Sequence, residues 1–308
     1  MHMSKQIIVC GDSPLKSYKN YLQKQGYANT TIESNERQML LFKKWCKCNH
    51  TSPIEIDYKT SLKYIKYLTG KGNSKKTINH KLTSLKSYFT YLISEAYRSD
   101  NPIENTTIKG VIRTVNYNLL EAYELEDLYY SYESDNIKDA YHRLTAKRNK
   151  LIVGLVVYQG LNTTDLSKLK IEHLQLSKGK IYVPSTKRSN TRTLELKPWQ
   201  IMEFINYTNE VRSILQERLE NYSEQLFPIN TRFTTITSQI IKKLRKYNNK
   251  VKDVKQLRAS VITNWLKQYN LRQVQVLAGH RYISSTERYL QDDLENLHEI
   301  VNNFHPIN

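Results

Sequence analysis

The stretch Leu277-Ala278-Gly279-His280-Arg281-Tyr282-Ile283-Ser284-Ser285-Thr286-Glu287-Arg288-Tyr289 decides how this chain of 308 residues is read. An apolar segment runs into a glycine, a histidine follows at once, and a tyrosine stands nine positions further on. Glycine at a helix end permits a left-handed residue and a sharp exit. A histidine there can give or take a proton near neutral pH, and a tyrosine hydroxyl is a latent nucleophile. The chain has 23 tyrosines, so a single spacing proves little. Its weight depends on what the rest of the sequence places around it.

Working outward, the balance of charge limits the partners. The chain carries 47 Lys+Arg against 29 Asp+Glu, a formal net charge of +18. A surplus of this size points to a polyanion, with nucleic acid favoured over an anionic membrane surface; the bland reading is a ribosome-associated or merely basic protein. Lysine makes up most of the surplus, and lysine suits phosphates as a mobile point charge better than it suits base edges. Cys10, Cys46 and Cys48 provide no disulfide framework and no second metal-binding pair, so all three read as reduced thiols. No apolar run approaches the ~18 residues of a membrane span, and no signal peptide is read, which gives a cytoplasmic, nucleoid-associated expectation.

Periodicity divides the chain. Residues 13–97 read as a helical, DNA-binding domain after an N-terminal extension at 1–12. Helical spacing covers Ser13 to Gly26, a longer helix with Thr30 and Thr31 as N-caps, Ser61 to Leu68, and Ser74 to Ala96. In the last of these, Ile78, Leu82, Leu85, Phe89 and Leu92 form one face, and Lys75, Lys76, His80, Lys81 and Lys86 form another. The first 110 residues hold 18 Lys+Arg against 8 Asp+Glu, a density that a phosphate track would relieve. Asn101-Pro102 and Asn105–Gly110 mark a linker over 98–120.

A second domain is expected at 121–289. It opens with helices at Tyr123 to Tyr132 and Thr145 to Gln159, the latter apolar through Leu151–Val157 and therefore buried. The period then shifts to two at Ile171 to Leu176, Lys180 to Val183 and Arg192 to Leu196, a small three-stranded antiparallel sheet. Helices return at Pro198 to Tyr207, Ile236 to Tyr247 and Val254 to Tyr269. The fold class is mainly α: a helical N-terminal domain plus an α+β domain. Residues 290–308 carry Asp292, Asp293, Glu295 and Glu299, no lysine or arginine, and an apolar stripe at Leu290, Leu294, Leu297, Val301 and Phe304. Such an acidic helix docks on protein, its own body or a neighbouring copy, rather than on DNA.

Taken together, the helical module, the linker, the domain with its three-stranded insert and the His280…Tyr289 register resemble the tyrosine recombinases of the phage-integrase family. The resemblance spans nearly the whole chain. It implies metal-free and ATP-free cutting and rejoining of DNA, through a tyrosine that keeps the bond energy as a 3′-phosphotyrosine. Residue by residue, it implies Tyr289 as nucleophile and His280 as donor to a phosphate oxygen or aid to deprotonation of the tyrosine. It implies Arg258, in Val254-Lys255-Gln256-Leu257-Arg258, as a fork onto two phosphate oxygens. Lys255 stands where the family has a histidine, and lysine is a poor base at neutral pH unless desolvated. Lys187, in Pro184–Arg192 between two strands, is implied as the acid for the leaving 5′-oxygen, with Arg192 five positions on at a place where the family carries arginine. Arg192 and Arg281 join the α-helical lysines as expected DNA contacts.

One position departs from the family pattern. The first arginine of the family follows Gly-Leu with an acid three residues later; here the frame is Gly160-Leu161-Asn162-Thr163-Thr164-Asp165. The acid is present and the arginine is Asn162. Losing one such donor costs on the order of 3–4 kcal/mol, or 10²–10³ in rate. Either the protein binds DNA without cutting it, or it is slow, or another cation fills the place, Arg188 first and Arg192 second. The leading expectation is a site-specific recombinase of a mobile element, acting by integration, excision or inversion. It would work on double-stranded DNA as a homo-oligomer, dimeric on a site and tetrameric in synapsis, with accessory DNA-bending proteins. A non-catalytic DNA-binding relative is the alternative, and a type IB topoisomerase-like enzyme a third.

Overall fold

The computed structural model describes residues 14–110, 118–187 and 189–290. The expectations for the 1–12 extension, the 291–308 tail and Arg188 lie outside the described residues. The chain divides into two compact units, Met1–Arg113 and Thr114–Asn308.

The first unit holds four helices: α1 (Pro14–Lys24), α2 (Asn29–Cys48), α3 (Tyr58–Gly70) and α4 (Lys75–Ser94). α4 packs against each of the other three. The core is rich in aromatic rings, with Tyr18 edge-on to Tyr88 at 5.2 Å and Phe42 edge-on to Phe89 at 5.8 Å. Such pairs add about 0.5–1.5 kcal/mol beyond their burial, and several of the tyrosines do this structural work. The cap expected at Thr30 and Thr31 is a correction. The helix starts at Asn29 after Ala28, with no side-chain cap, so both threonines lie within its first turn. Asp57 and Ser74 cap α3 and α4 by accepting from the Thr60 and Thr77 N–H groups. Ile103 and Ile108 pack on this unit's core, and Asn79 exchanges two hydrogen bonds with the Ile108 backbone. Part of the stretch expected as linker is thus docked on the first unit, whereas Leu120 belongs to the core of the second.

The second unit is built around α6 (Ala140–Val157), whose residues 151–157 are all buried. At about 2 kcal/mol for each large aliphatic side chain removed from water, this run holds the unit together. α5 (Ala122–Tyr130) packs against it, and α7 (Thr163–Lys168) follows it after the turn at Gly160. The sheet comes next: β1 (Leu174–Gln175), β2 (Lys180–Val183) and β3 (Arg192–Glu195), antiparallel in the order β1-β2-β3, with Ile181 opposite both Leu174 and Leu194. β1 is much shorter than the Ile171–Leu176 run suggested. The Ile171 N–H donates to Glu224 O and the Leu226 N–H to Leu169 O, so the preceding backbone pairs elsewhere. Single turns at Ile171–His173 and Leu176–Lys178 take up the rest.

α8 (Pro198–Asn206) continues through a π-helical turn, Tyr207–Val211, into α9 (Arg212–Leu219). α10 (Phe233–Tyr247), α11 (Val254–Leu266) and α12 (Leu271–Ala278) complete the unit, with residues 284–290 helical after them. α12 lies against α11 and β3, which places the end of α12 beside the β2–β3 loop. Among the described residues, no helix is long and apolar enough to cross a membrane.

Candidate active site

The His280 segment begins where α12 stops. Gly279 adopts φ +69°, its N–H donates to Val276 O, and the His280 N–H donates to Gln275 O at 3.0 Å. These bonds satisfy carbonyls that the helix end would leave open. The His280 Nδ1 lies 2.9 Å from Oγ1 of Thr286, a residue with no exposed surface. Thr286 and Tyr289 share the 284–290 helix, so the hydroxyl that fixes the imidazole is one turn from the phenol. The His280 and Tyr289 rings lie nearly parallel, 6° apart in orientation, with centroids 6.0 Å apart. Tyr289 is half-buried and rests on a small cluster of Ile262, Val274 and Ala278. Thr286 was not singled out from the sequence; its position on the face of Tyr289, three residues earlier, was the available signal.

The loop between β2 and β3 is bonded to this turn. The Asn190 N–H donates to Gly279 O at 2.9 Å, Ser189 and His280 form an antiparallel bridge, and Arg281 Nη2 donates to Thr186 O at 2.9 Å. Lys187 sits on that loop with its side chain exposed.

Arg258 arrives from α11, whose first turn is capped by Asp253 accepting from the Gln256 N–H at 2.8 Å. Its guanidinium is buried and donates Nη1 to Gly160 O and Nη2 to Ala278 O. It therefore ties the turn before Asn162 to the turn before His280. Lys255, one helical turn earlier, is exposed.

Asn162 acts as the N-cap of α7. Its Oδ1 accepts from the Thr164 and Asp165 N–H groups at 2.9 and 3.0 Å, and its Nδ2 donates to Asp165 Oδ2 at 2.8 Å. Asp165 has no exposed surface. The same Oδ2 accepts from Arg192 Nη2 at 2.7 Å and lies 3.9 Å from Arg258 Nη1. Arg192, expected among the DNA contacts, is held inside the fold: its side chain is 1% exposed. β3 alternates, and Arg192 shares the inward parity of Leu194, so the strand delivers the guanidinium inside.

The electrostatics follow from this packing. Burial, then Arg258, Arg192 and Arg288, push the His280 pKa down to about 4, because each disfavours the imidazolium. His280 is therefore neutral at physiological pH. Burial and then Arg192 push Arg258 below its usual value, while Asp165 and Tyr289 oppose them. The phenol, both arginines and the imidazole thus form one electrostatic cluster.

Residues 120–296 match the family model described as "Phage integrase family", and residues 15–96 match "Phage integrase, N-terminal SAM-like domain". The chain belongs to the phage integrase family. Its curated relatives include a tyrosine recombinase XerD of Staphylococcus epidermidis, 24% identical over 95% of this chain and 98% of the relative. They also include a tyrosine recombinase XerA of Pyrococcus furiosus, 28% identical over 93% and 92%. Among solved structures, XerH site-specific recombinase bound to a palindromic difH substrate superposes with a TM-score of 0.65 (21% identity, 94% of this chain and 84% of that one). A lambda integrase dimer bound to a COC′ core site gives 0.61 (17% identity, 89% and 93%). The expected fold, mainly helical with a three-stranded antiparallel sheet, is the fold of these proteins. Membership makes the chain a tyrosine recombinase by family, and strand cleavage and rejoining is that family's chemistry.

Within this family member, the structure brings Tyr289, His280, Arg258, Arg192 and Asp165 together and bonds the loop of Lys187 to them. It leaves Lys255 and Arg281 at the surface. On the first unit, Lys75, Lys76 and His80 are exposed and Lys81 and Lys86 partly so, opposite the buried Ile78, Leu82 and Leu85 of α4.

Proposed function

We propose that this protein is a site-specific DNA recombinase in which Tyr289 attacks a DNA phosphorus. The Tyr289 oxygen forms a bond to phosphorus, the P–O5′ bond breaks, and the 3′-phosphate stays on the enzyme. The phenolic proton leaves toward the neutral His280 imidazole, and Lys187 gives a proton to the departing 5′-oxygen. Rejoining is the reverse: a 5′-hydroxyl attacks the phosphotyrosine and Tyr289 recovers its proton. Breaking and making one phosphodiester in turn needs neither metal nor nucleotide energy. Arg258 supplies donors to the non-bridging oxygens, where charge builds in the transition state.

The observation that carries this reading is the parallel His280–Tyr289 pair set against a buried arginine. Neutral histidine beside the phenol suits proton acceptance, and Arg258 marks where an anion is held. Double-stranded DNA is the partner. Assembly as dimers on a site and tetramers in synapsis is supported by the fold's occurrence in lambda integrase both as a dimer on a core site and as a tetramer on a Holliday junction. The exposed face of α4 and Arg281 would meet the backbone. Integration, excision or inversion for a mobile element, in the nucleoid and with DNA-bending accessory proteins, is the corresponding biological use.

The test is covalent trapping. A duplex site recovered by selection from a random library is nicked beside the cleavage position, so that the short product diffuses away. The expected result is an adduct resistant to denaturation that disappears in Tyr289→Phe. A bound site that yields no adduct at any protein concentration would overturn the reading and leave a DNA-binding protein that does not cut.

A further inference from the structure

Asn162 stands where the family pattern has a cation, and the lattice around Asp165 indicates what stands in for it. We propose that Arg192, delivered by β3, does the electrostatic work at the scissile phosphate that Asn162 does not do. This rests on the reading of Tyr289 as the nucleophile.

Asn162 is neutral, and both ends of its amide are committed to the α7 cap and to Asp165. Arg192 reaches the same carboxylate oxygen from β3, 27 residues further along the chain. A guanidinium has five N–H donors, and only Nη2 of Arg192 is matched. Its Nε and Nη1 are buried and have no hydrogen-bond partner among the described residues. Buried charged donors left unmatched are costly, and an anion with several acceptor oxygens is the natural remedy. The guanidinium lies directly beneath the His280 turn: a Cβ at Gly279 would be 2.5 Å from Nη1 and 3.0 Å from Cζ. It also acts on the charge of both His280 and Arg258.

Counting charge sharpens the point. His280 is neutral, so the buried cluster consists of Arg192, Arg258 and Asp165 and carries one net positive charge. Without Arg192, the Asp165 carboxylate offsets Arg258 and no net cation remains in the interior of the site. Lys187 is on an exposed loop and serves the leaving oxygen. Arg192 is therefore the only described buried cation besides Arg258 placed to balance charge that develops on the phosphate.

The experiment uses two versions of the selected nicked duplex, one with an ordinary scissile phosphodiester and one with a methylphosphonate. The methyl group removes a negative charge, so a site short of one cation should cut the methylphosphonate with little handicap. Arg192→Gln is expected to lose about 10²–10³-fold in adduct formation on the phosphodiester, to stay within about tenfold of the parent on the methylphosphonate, and to be partly restored by Arg192→Lys. A merely structural role would lower both substrates equally, and that result overturns the proposal. Asn162→Arg in the otherwise intact protein covers the case in which Arg192→Gln does not fold. If Arg192 already fills the role, Asn162→Arg that is folded by circular dichroism and binds the site as the parent does gains less than tenfold; a gain of 10² or more shows the place to be empty and also overturns it. A parent that cuts the methylphosphonate but not the phosphodiester sinks the Arg192 role and leaves Tyr289 as nucleophile, whereas no adduct on either substrate sinks both.

Discussion

Gly279→Ala offers a direct measure of how firmly Arg192 is held. Gly279 has φ +69°, and an L-residue held there costs roughly 1–2 kcal/mol in backbone strain. The added methyl carbon would also sit 2.5 Å from Arg192 Nη1 and 3.0 Å from its Cδ and Cζ, well inside contact distance. Arg192 has little room to yield, since its Nη2 is fixed on the fully buried Asp165 at 2.7 Å and its side chain is 1% exposed. Displacing it breaks a buried pair, for which the ceiling is about 3–5 kcal/mol. Gly179→Ala in the same unit is the control. It too has positive φ, +61°, but the new methyl meets only Ile201 Cδ1 at 3.2 Å, the movable end of an aliphatic side chain. The backbone cost should cancel between the two variants. Urea unfolding, followed by Trp199 and Trp265 fluorescence in the second unit, should place Gly279→Ala at least about 2 kcal/mol below Gly179→Ala. Equal stability within about 0.5 kcal/mol would show that Arg192 slides aside freely, and the pinned lattice around Asp165 would have to be abandoned.

Two further expectations concern pH and salt. His280 has a folded pKa near 4 against about 6.5 for an unburied histidine, so as pH falls the unfolded chain takes up the proton first. Its contribution is complete above about pH 6.5 and is lost as pH falls toward 4, at up to about 1.4 kcal/mol per unit and about 3 kcal/mol in all. Urea titrations from pH 7.5 to 4.5 should show a steeper loss in the parent than in His280→Asn, and parallel curves would contradict the buried neutral imidazole. For α4, changing Lys75, Lys76, Lys81 and Lys86 to Gln should reduce the slope of log affinity against log salt by about 0.9 for each lysine that meets a phosphate. A slope unchanged by all four substitutions would remove this face from the DNA interface.

Much of this arrangement is legible before any coordinates. The spacing of Ile78, Leu82, Leu85 and Phe89 defines α4 and assigns its lysines to the opposite face. The apolar run Leu151–Val157 identifies the buried helix, and alternation finds β2 and β3 to within a residue. What escaped was set by competition for the backbone. β1 is cut short because residues 224–226, far along the chain, take its neighbours' hydrogen bonds. The cap at Thr30 gives way to a helix that starts at Asn29, with Ala28 in the cap position two residues earlier. Arg192 is the more instructive case, because the signal was there. Strand parity puts it with Leu194 on the inward face, which its charge alone does not reveal. Parity decided the outcome, since Asp165 was buried on that side to receive it.

The same logic accounts for Asn162. Position 162 is the N-cap of α7, where an asparagine side chain is worth about 1 kcal/mol over a non-capping residue. It also shares one carboxylate oxygen with Arg192 and lies near a second guanidinium, Arg258. An arginine there would forfeit the cap and bring a third guanidinium to a single buried carboxylate, leaving two uncompensated positive charges in the cluster. At an effective dielectric constant of about 20, two like charges 5 Å apart repel by about 3 kcal/mol. With Arg192 inside, asparagine keeps the helix capped, gives Asp165 Oδ2 a donor beside Arg192 and adds no further positive charge to the cluster. Asn162 and the buried Arg192 thus meet at one carboxylate oxygen, and the charge balance there is what the Arg192→Gln and Asn162→Arg variants would test.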